Sequence, residues 1–207
     1  MDEYNVPIDF FNKLDLGELE RSLVTYRYYE AFTGKSDRNL QFNYSFVISV
    51  ISQLYAENND IFQGTRVLEA GCGIGVFGEY CKREYSTDIM GVDLALDYLL
   101  FAEQYTNGLD FLGADVKALP FKSESFDIVI AANLIDQSLS AFFSDKSIYA
   151  AIDEVSRVLK EGGIAIISGM LNEKHFMNPS LDTKKVVYTT KNGAIEIDAY
   201  TYVCKKI

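Results

Sequence analysis

The sequence predicts an α/β fold in which a mostly parallel sheet is covered by helices on both faces. From Thr65 onward, short apolar runs alternate with helical segments, which is the pattern of a doubly wound sheet. Most of these runs lack polar alternation, as expected for strands that are buried on both faces. The chain then ends in a hairpin signal, so an antiparallel pair is expected to complete the sheet.

Only helices are predicted before the sheet begins. Gly34 is placed to end a helix that runs from about Leu16 to Phe32. A second helix is predicted at about 39–57, because its apolar residues recur with a helical period and form one face: Leu40, Tyr44, Val47, Ile48, Ile51, Leu54 and Tyr55. We therefore expect a helical cap or lid at residues 1–62 and a sheet domain at residues 63–207.

The sheet domain is predicted to contain seven strands. Five are the apolar runs at residues 65–70, 88–93, 109–114, 126–132 and 163–169. The other two, at residues 184–190 and 194–203, flank Asn192-Gly193, which is a strong hairpin signal. Helices are predicted between the runs at about 76–85, 96–106 and 147–160, with Gly162-Gly163 as the stop of the last helix.

The composition excludes several classes of protein. Of the 207 residues, 48% are hydrophobic and 24% are charged, which is typical of a folded chain rather than a disordered one. A net charge of −11 disfavours a nucleic-acid surface. Three cysteines without a CxxC pair predict neither a disulfide framework nor a metal site. An acidic N-terminus and the lack of a long apolar run favour a cytoplasmic protein that is not a membrane protein.

Chemistry is expected at the carboxyl ends of the first three strands. The first strand runs into a glycine-rich loop, Gly71-Cys72-Gly73-Ile74-Gly75, which has neither the third glycine of a dinucleotide loop nor the lysine of a Walker loop. Asp93 ends the second strand, where a carboxylate can accept both hydroxyls of a ribose. Asp115 follows the third strand, where it can accept a hydrogen bond from an adenine amino group.

These residues resemble the class I S-adenosylmethionine-dependent methyltransferases, and most closely the small-molecule branch that is similar to ubiquinone-biosynthesis enzymes. The resemblance spans about residues 65–170 and lies in five motifs in the correct order: Leu68-Glu69-Ala70-Gly71-Cys72-Gly73-Ile74-Gly75, Asp93, Gly113-Ala114-Asp115, Phe126-Asp127-Ile128-Val129 and Arg157-Val158-Leu159-Lys160-Glu161-Gly162-Gly163. It implies a Rossmann-like methyltransferase fold whose last strand is antiparallel, and S-adenosylmethionine as the cofactor.

The resemblance also implies a role for each matching residue. Glu69 would orient the loop and reach toward the methionine part of the cofactor. Asp93 would hold the ribose, and Asn133 would contact the methionine part or face the reacting centre. Gly71, Cys72, Gly73 and Gly75 would border the cofactor, with Gly71 and Cys72 nearest its methionine part. Leu94, Asp115 and the backbone of Val116 would lie at its adenine.

The catalytic residues and the acceptor are less well defined by the sequence. A base would help an oxygen nucleophile, whereas a neutral amine needs none. Candidates are His175, the only histidine, together with Asp136 and Tyr44. The function predicted first is methyl transfer to a small-molecule acceptor, in a chain that could form a homodimer. Three alternatives stay open: a protein methyltransferase, a catalytically silent subunit that binds S-adenosylmethionine, and an NAD-dependent oxidoreductase.

Overall fold

A computed structural model of the chain describes most of the predicted sheet domain. The described residues are 47, 50, 51, 54–56, 58 and 60–207, except 88, 107, 133, 136–143, 170, 193 and 194. The helix predicted at Leu16–Phe32 and most of the proposed cap therefore lie outside the described residues. Of the second predicted helix, residues 47, 50, 51 and 54–56 are described, and all are helical.

The described residues form one seven-stranded sheet, as predicted. Its spatial order is β3-β2-β1-β4-β5-β7-β6. Strands β1 to β5 run parallel, and β7 lies antiparallel to both β5 and β6. The strands are β1 Val67–Ala70, β2 Ile89–Asp93, β3 Asp110–Gly113, β4 Phe126–Ala132, β5 Leu159–Ser168, β6 Leu181–Asn192 and β7 Ile195–Lys206.

Three α-helices of the described part connect the parallel strands. They are α1 at Val76–Tyr85, α2 at Leu96–Tyr105 and α3 at Asp145–Val158. The Ser144 side chain caps α3 by accepting a hydrogen bond from the backbone of Ser147. A short 3₁₀ helix, Glu173–Phe176, follows β5. No described helix has the length and apolar character that crossing a membrane requires.

The core consists of one apolar layer on each face of the sheet. On one face, Ile148, Ile152 and Val155 of α3 pack against strand residues such as Val129 and Ile167. On the other face, Phe77 of α1 and the helical residues Val47 and Ile51 pack against Ile130 and Ile166. Because both faces are covered, the central strands are apolar at nearly every position, which is the pattern that the sequence showed.

The predicted start of β5 was wrong, and the predicted hairpin strands were too short. Helix α3 ends at Val158, and β5 begins at Leu159 instead of at Gly163. Phe126 of β4 pairs with Leu159, but Ile128 pairs with Ile164, so residues 160–163 form a bulge in which Gly162 has a positive φ of 75°. The hairpin strands have 12 residues each, because their pairing with each other continues beyond Ser168, where β5 ends.

Candidate functional site

The glycine-rich loop turns sharply at the carboxyl end of β1. The N–H groups of Gly71 and Cys72 both donate to the carbonyl of Val92, at 2.7 and 3.0 Å, which fixes the loop against β2. Gly71, Gly73 and Gly75 all have a positive φ between 53° and 77°, a conformation that glycine adopts without steric cost. A Cβ atom added at Gly73 would meet nothing within 4 Å, so this side of the loop is open to a ligand.

The Phe111 ring of β3 explains why glycine is required at two positions, Gly75 and Gly91. A Cβ atom at Gly75 would lie 2.7 Å from the Phe111 ring, and one at Gly91 of β2 would lie equally close to it. The ring therefore packs beneath the loop, and both backbones must approach it closely. The sequence motifs did not identify Phe111, although a glycine inside a buried strand, such as Gly91, commonly marks a close approach of this kind.

Asp93 joins the loop to the end of β2. One carboxylate oxygen accepts a hydrogen bond from the Gly73 N–H at 2.8 Å, and the other accepts one from the Ala95 N–H at 2.9 Å. Each carboxylate oxygen has a second lone pair, so Asp93 can brace the loop and still accept the hydroxyls of a ribose. Among the described residues, no lysine or arginine forms an ion pair with Asp93.

Glu69 lies beneath the loop and is 1% exposed. Burial raises the pKa of its carboxyl group well above the usual value, and the nearby negative charge of Asp93 raises it further, although a hydrogen bond from the Gly78 backbone opposes both effects. Its Oε1 has no hydrogen-bond partner among the described residues. An orphaned buried acceptor next to a second acid favours a ligand that brings donors and positive charge.

Cys72 faces the core rather than the open side of the loop. It is 1% exposed, and its Sγ lies 2.8 Å from the position that a Cβ atom of Gly91 would take. Burial raises the pKa of the Cys72 thiol, and the charges of Glu69 and Asp93 raise it further. The thiol is therefore protonated at neutral pH and is a poor nucleophile. Only the backbone of Cys72 is available to a ligand in this arrangement.

The residues predicted at the adenine lie beside the loop. Leu94 is 71% exposed and can pack on an aromatic base. The Asp115 carboxylate accepts the Lys117 N–H at 2.9 Å and lies 3.4 Å from the Lys117 ammonium group, so a tight turn fixes its position. The Val116 side chain is buried in the core, which leaves its backbone for a ligand. The backbone of Ala114 donates to the Asp93 carbonyl at 3.0 Å, which holds this segment beside β2.

This arrangement fits S-adenosylmethionine. The cofactor carries a sulfonium and an ammonium group, and the orphaned Glu69 oxygen together with the unpaired charge of Asp93 suits such a cationic molecule. The open face at Gly73 leaves room for it. Among the described residues, no cluster of histidine, cysteine and acidic side chains could hold a metal ion.

His175 lies in the connection after β5 and is fully buried. Its Nδ1 accepts a hydrogen bond from the Asn172 backbone at 3.2 Å, and its Nε2 lies 3.1 Å from an Asp145 carboxylate oxygen. The ring also packs edge-on against Tyr149. Both ring nitrogens are therefore used to tie the short helix to the start of α3. The structure thus gives His175 a role in packing the short helix against α3.

The other predicted residues at the reacting centre lie outside the described part of the chain. These are Tyr44, Asn133 and Asp136. Leu134, which the sequence did not single out, is described: its side-chain atoms lie 2.8 to 3.0 Å from the position of a Cβ atom on Gly71. The chain after β4 thus contacts the glycine-rich loop directly.

The comparisons with known proteins agree with this geometry. Residues 67–163 match a family model described as a methyltransferase domain. A fatty-acid O-methyltransferase from Mycolicibacterium smegmatis is 36% identical over 49% of this chain and 35% of its own length. A malonyl-[acyl-carrier protein] O-methyltransferase from Buchnera aphidicola is 31% identical over 67% of this chain and 52% of its own length. A crystal structure of a protein from Pyrococcus horikoshii has a TM-score of 0.63 at 19% identity, covering 87% of this chain and 99% of that one.

The family match lies within the sheet domain. Residues 67–163 are similar to a methyltransferase domain, a similarity that implies S-adenosylmethionine as the cofactor, and the predicted Rossmann-like fold is confirmed. The chain spans about a third to a half of the length of these two curated relatives. The activity, substrates and partners of the whole protein are therefore proposals.

Proposed function

We propose that this protein transfers the methyl group of S-adenosylmethionine to a small-molecule acceptor through an oxygen or nitrogen nucleophile. The observation that carries the proposal is the Asp93 carboxylate, which braces the glycine-rich loop by the Gly73 N–H and has no cationic partner among the described residues. The relatives act on a fatty acid and on a malonyl group carried by a protein. Both names indicate carboxyl acceptors, and they support an oxygen nucleophile.

Each residue of the cofactor site has a defined part in this proposal. Asp93 accepts the ribose hydroxyls, Asp115 and the Val116 backbone bind the adenine edge, and Leu94 packs on the base. Glu69 accepts a donor from the methionine part, directly or through water. Gly71, Gly73 and Gly75 and the backbone of Cys72 border the cofactor, and Asn133 contacts its methionine part or faces the acceptor.

The reaction needs little more than placement. The cofactor supplies an activated methyl group on its sulfonium. The protein holds the acceptor nucleophile about 3 Å from that methyl group, in line with the bond that breaks. The loop after β4, which begins against Gly71 at Leu134, is suited to position it. Asp136 and Tyr44 remain proposed as groups that could accept a proton.

We propose that residues 1–62 form the lid of the acceptor pocket, with Tyr44 near the methyl group. Lids that close over a ligand exclude water from the reacting centre. Hydrogen exchange with and without S-adenosylhomocysteine tests this proposal. Protection should rise in residues 1–45 as well as at the glycine-rich loop. A rise at the loop alone would mean that the acceptor pocket is built elsewhere.

A catalytically silent subunit is the second candidate. It is favoured by the position of His175, the only histidine of the chain, which is buried with both ring nitrogens bonded. A protein methyltransferase is a third possibility, in which the N-terminal residues bind a protein partner. We expect a cytoplasmic protein that could form a homodimer and that binds neither nucleic acid nor a membrane.

The decisive experiment uses S-adenosylmethionine with a radiolabelled methyl group. The protein is incubated with a panel of fatty acids, phenols, small carboxylic acids and amines, and binding of S-adenosylhomocysteine is measured by calorimetry in parallel. Transfer to one compound class, with NAD giving no binding heat, supports the proposal. Cofactor binding without transfer to any panel member favours the silent subunit. Binding of NAD without a response to S-adenosylhomocysteine contradicts both.

A further inference from the structure

The connection between β3 and β4 crosses the sheet without a helix. It comprises residues 114–125 and runs from the carboxyl end of β3 to the amino end of β4. Leu119, in its middle, is 4% exposed, so the backbone there passes close to the core. Buried backbone N–H and C=O groups require hydrogen-bond partners, and a segment without a helix or a strand partner must obtain them from elsewhere.

Two side chains from the end of α3 supply these partners. The Leu119 N–H donates to Glu154 Oε2 at 2.8 Å, and the Leu119 carbonyl accepts from Arg157 Nη2 at 2.9 Å. Arg157 Nη1 donates to the Phe121 carbonyl at 2.8 Å. Both backbone groups of Leu119 are thus satisfied by side chains, as a neighbouring strand would satisfy them in a sheet. The Phe121 ring also packs edge-on against Phe126 of β4.

Arg157 and Glu154 also hold each other. Arg157 Nε and Nη2 donate to the two Glu154 oxygens at 2.7 and 2.8 Å. A guanidinium group is planar and presents several N–H donors in fixed directions, so it can bind a carboxylate and two carbonyls at once. A lysine ammonium group cannot reproduce that geometry. The pair therefore forms a rigid clamp on residues 119–121.

The clamp lies close in sequence to the proposed adenine site. The Ala118 N–H donates to the Asp115 carbonyl at 2.9 Å, so one tight turn connects Asp115 to Leu119. Val116 and Leu119 are buried in the same apolar cluster at the two ends of that turn. A change in the position of Leu119 is therefore transmitted to Asp115 over a short and well-packed distance.

We propose that Arg157, held by Glu154, is a positioning residue for the recognition of the adenine base. It acts by fixing the backbone of Leu119 and Phe121, which sets the position of Asp115 and Val116. The inference rests on the proposed role of Asp115 at the adenine amino group. It goes beyond that role because it assigns part of the base specificity to a pair at the far end of the connection.

The test compares two ligands that differ only in the base. S-adenosylhomocysteine has an adenine amino group, and S-inosylhomocysteine has a carbonyl at the same position, which cannot donate a hydrogen bond to Asp115. The wild-type protein should prefer the adenine ligand by roughly tenfold or more, as expected for one hydrogen bond to a charged group. Dissociation constants are measured by calorimetry well below the unfolding temperature of each variant.

The clamp variants are Arg157→Met, Arg157→Lys and Glu154→Gln. Arg157→Met should bind S-adenosylhomocysteine roughly three- to thirtyfold more weakly, with a smaller loss for the inosine ligand, so that the preference falls. The preference of Arg157→Lys for the adenine ligand should lie between those of Arg157→Met and the wild type. Glu154→Gln provides the test if Arg157→Met does not fold. The matched control is Lys160→Met, which removes an ion pair with Asp127 at the amino end of the strands and should leave the preference unchanged.

The variant Asp115→Ala separates failure of the inference from failure of the proposed site. If Asp115→Ala abolishes the preference while Glu154→Gln and both Arg157 variants keep it, Arg157 only stabilises the fold and the inference is overturned. If Asp115→Ala itself keeps the preference, Asp115 does not read the base, and a role for Arg157 through that residue is overturned with it. A loss of preference in Lys160→Met would show that general destabilisation is sufficient to remove the preference for adenine, which would overturn the inference.

Discussion

Two aspartates at opposite edges of the sheet brace neighbouring segments in similar ways, but only one has a cationic partner. Asp127, at the amino end of β4, accepts the Arg66 N–H at 2.9 Å and binds the Lys160 ammonium group with both carboxylate oxygens at 2.8 Å. Asp93, at the carboxyl end of β2, accepts two backbone N–H groups. Its neighbour Glu69 is another acid. Among the described residues, no lysine or arginine forms an ion pair with Asp93.

The comparison separates an acid whose charge is balanced by a cation from one whose charge is not. At Asp127, desolvation raises the pKa, but the hydrogen bonds from the Arg66 backbone and Lys160 together with the charge of Lys160 outweigh it, so the pKa is lowered overall. The charge of Asp127 at the amino edge is therefore balanced without a ligand. The carboxyl edge leaves negative charge and one orphaned oxygen uncompensated. A protein tolerates such a cost mainly where a ligand offsets it.

The largest expected effect is on cofactor binding when Asp93 is changed. Asp93→Ala should weaken the binding of S-adenosylhomocysteine by roughly 1–3 kcal/mol, the range for hydrogen bonds to a charged group. It removes both the proposed ribose contact and the brace on Gly73. Calorimetry measures the dissociation constant, and circular dichroism checks the fold. An unchanged dissociation constant in a folded variant would remove Asp93 from the site.

Changing Glu69 should sharpen the comparison through the pH dependence of stability. The raised pKa means that folded Glu69 retains a proton that the unfolded chain releases, so the wild type loses stability as the pH rises from about 4.5 to the higher folded value. Glu69→Gln removes that loss. The variant should be more stable than the wild type at pH 8, with little difference below pH 4.5, in urea unfolding at several pH values.

The control for this prediction is Glu79→Gln, which neutralises another acid in the first turn of α1. A gain of the same size at pH 8 in Glu79→Gln would assign the effect to the lower net charge rather than to the burial of Glu69. Glu69→Gln should also bind S-adenosylhomocysteine more weakly, because the amide replaces one of the two acceptor oxygens with an NH2 donor. A variant that gains no stability at pH 8 would show that the folded protein stabilises the Glu69 carboxylate by a group outside the described residues.

Asp127→Asn should show the opposite pH dependence of stability, with a smaller change in the free energy of unfolding. It should lower the free energy of unfolding by about 1 kcal/mol at neutral pH, since the ion pair is partly exposed and solvent screens it. Because the pKa of Asp127 is lowered, this contribution is present above pH 3.8 and is lost as the pH falls below it. The dissociation constant of S-adenosylhomocysteine should not change. A large loss of affinity would contradict the division between the two edges.

The smallest effect is expected in the reactivity of the cysteines. Cys72, Cys81 and Cys204 are all buried and free, and burial raises the pKa of the Cys204 thiol to about 11. All three should react slowly with a thiol reagent at pH 8 until the protein unfolds. Cys72 should be the most protected by S-adenosylhomocysteine, because its reaction requires the loop to open. Equal protection of Cys204, on β7, would indicate global rather than local opening.

Much of the fold and part of the site were predictable from residue types and order. Buried parallel strands must be apolar on both faces, so the runs ending at Ala70, Asp93 and Ala132 were identifiable. The position of Asp93 and Asp115 beside the glycine-rich loop was predictable because parallel strands bring their carboxyl ends to one edge. The start of β5 was not, since the bulge at residues 160–163 depends on pairing with β4, which no local pattern encodes.

The sequence by itself determined the order of strands and helices, the antiparallel end of the sheet and the position of the glycine-rich loop. Each of these depends on local periodicity, on glycine conformation or on the short reach of a turn. Only the tertiary structure decided that His175 is buried, that Phe111 packs beneath Gly75, and that Arg157 clamps Leu119. These are contacts between residues far apart in the chain, and their partners are set by packing and hydrogen-bond geometry, which no single segment specifies.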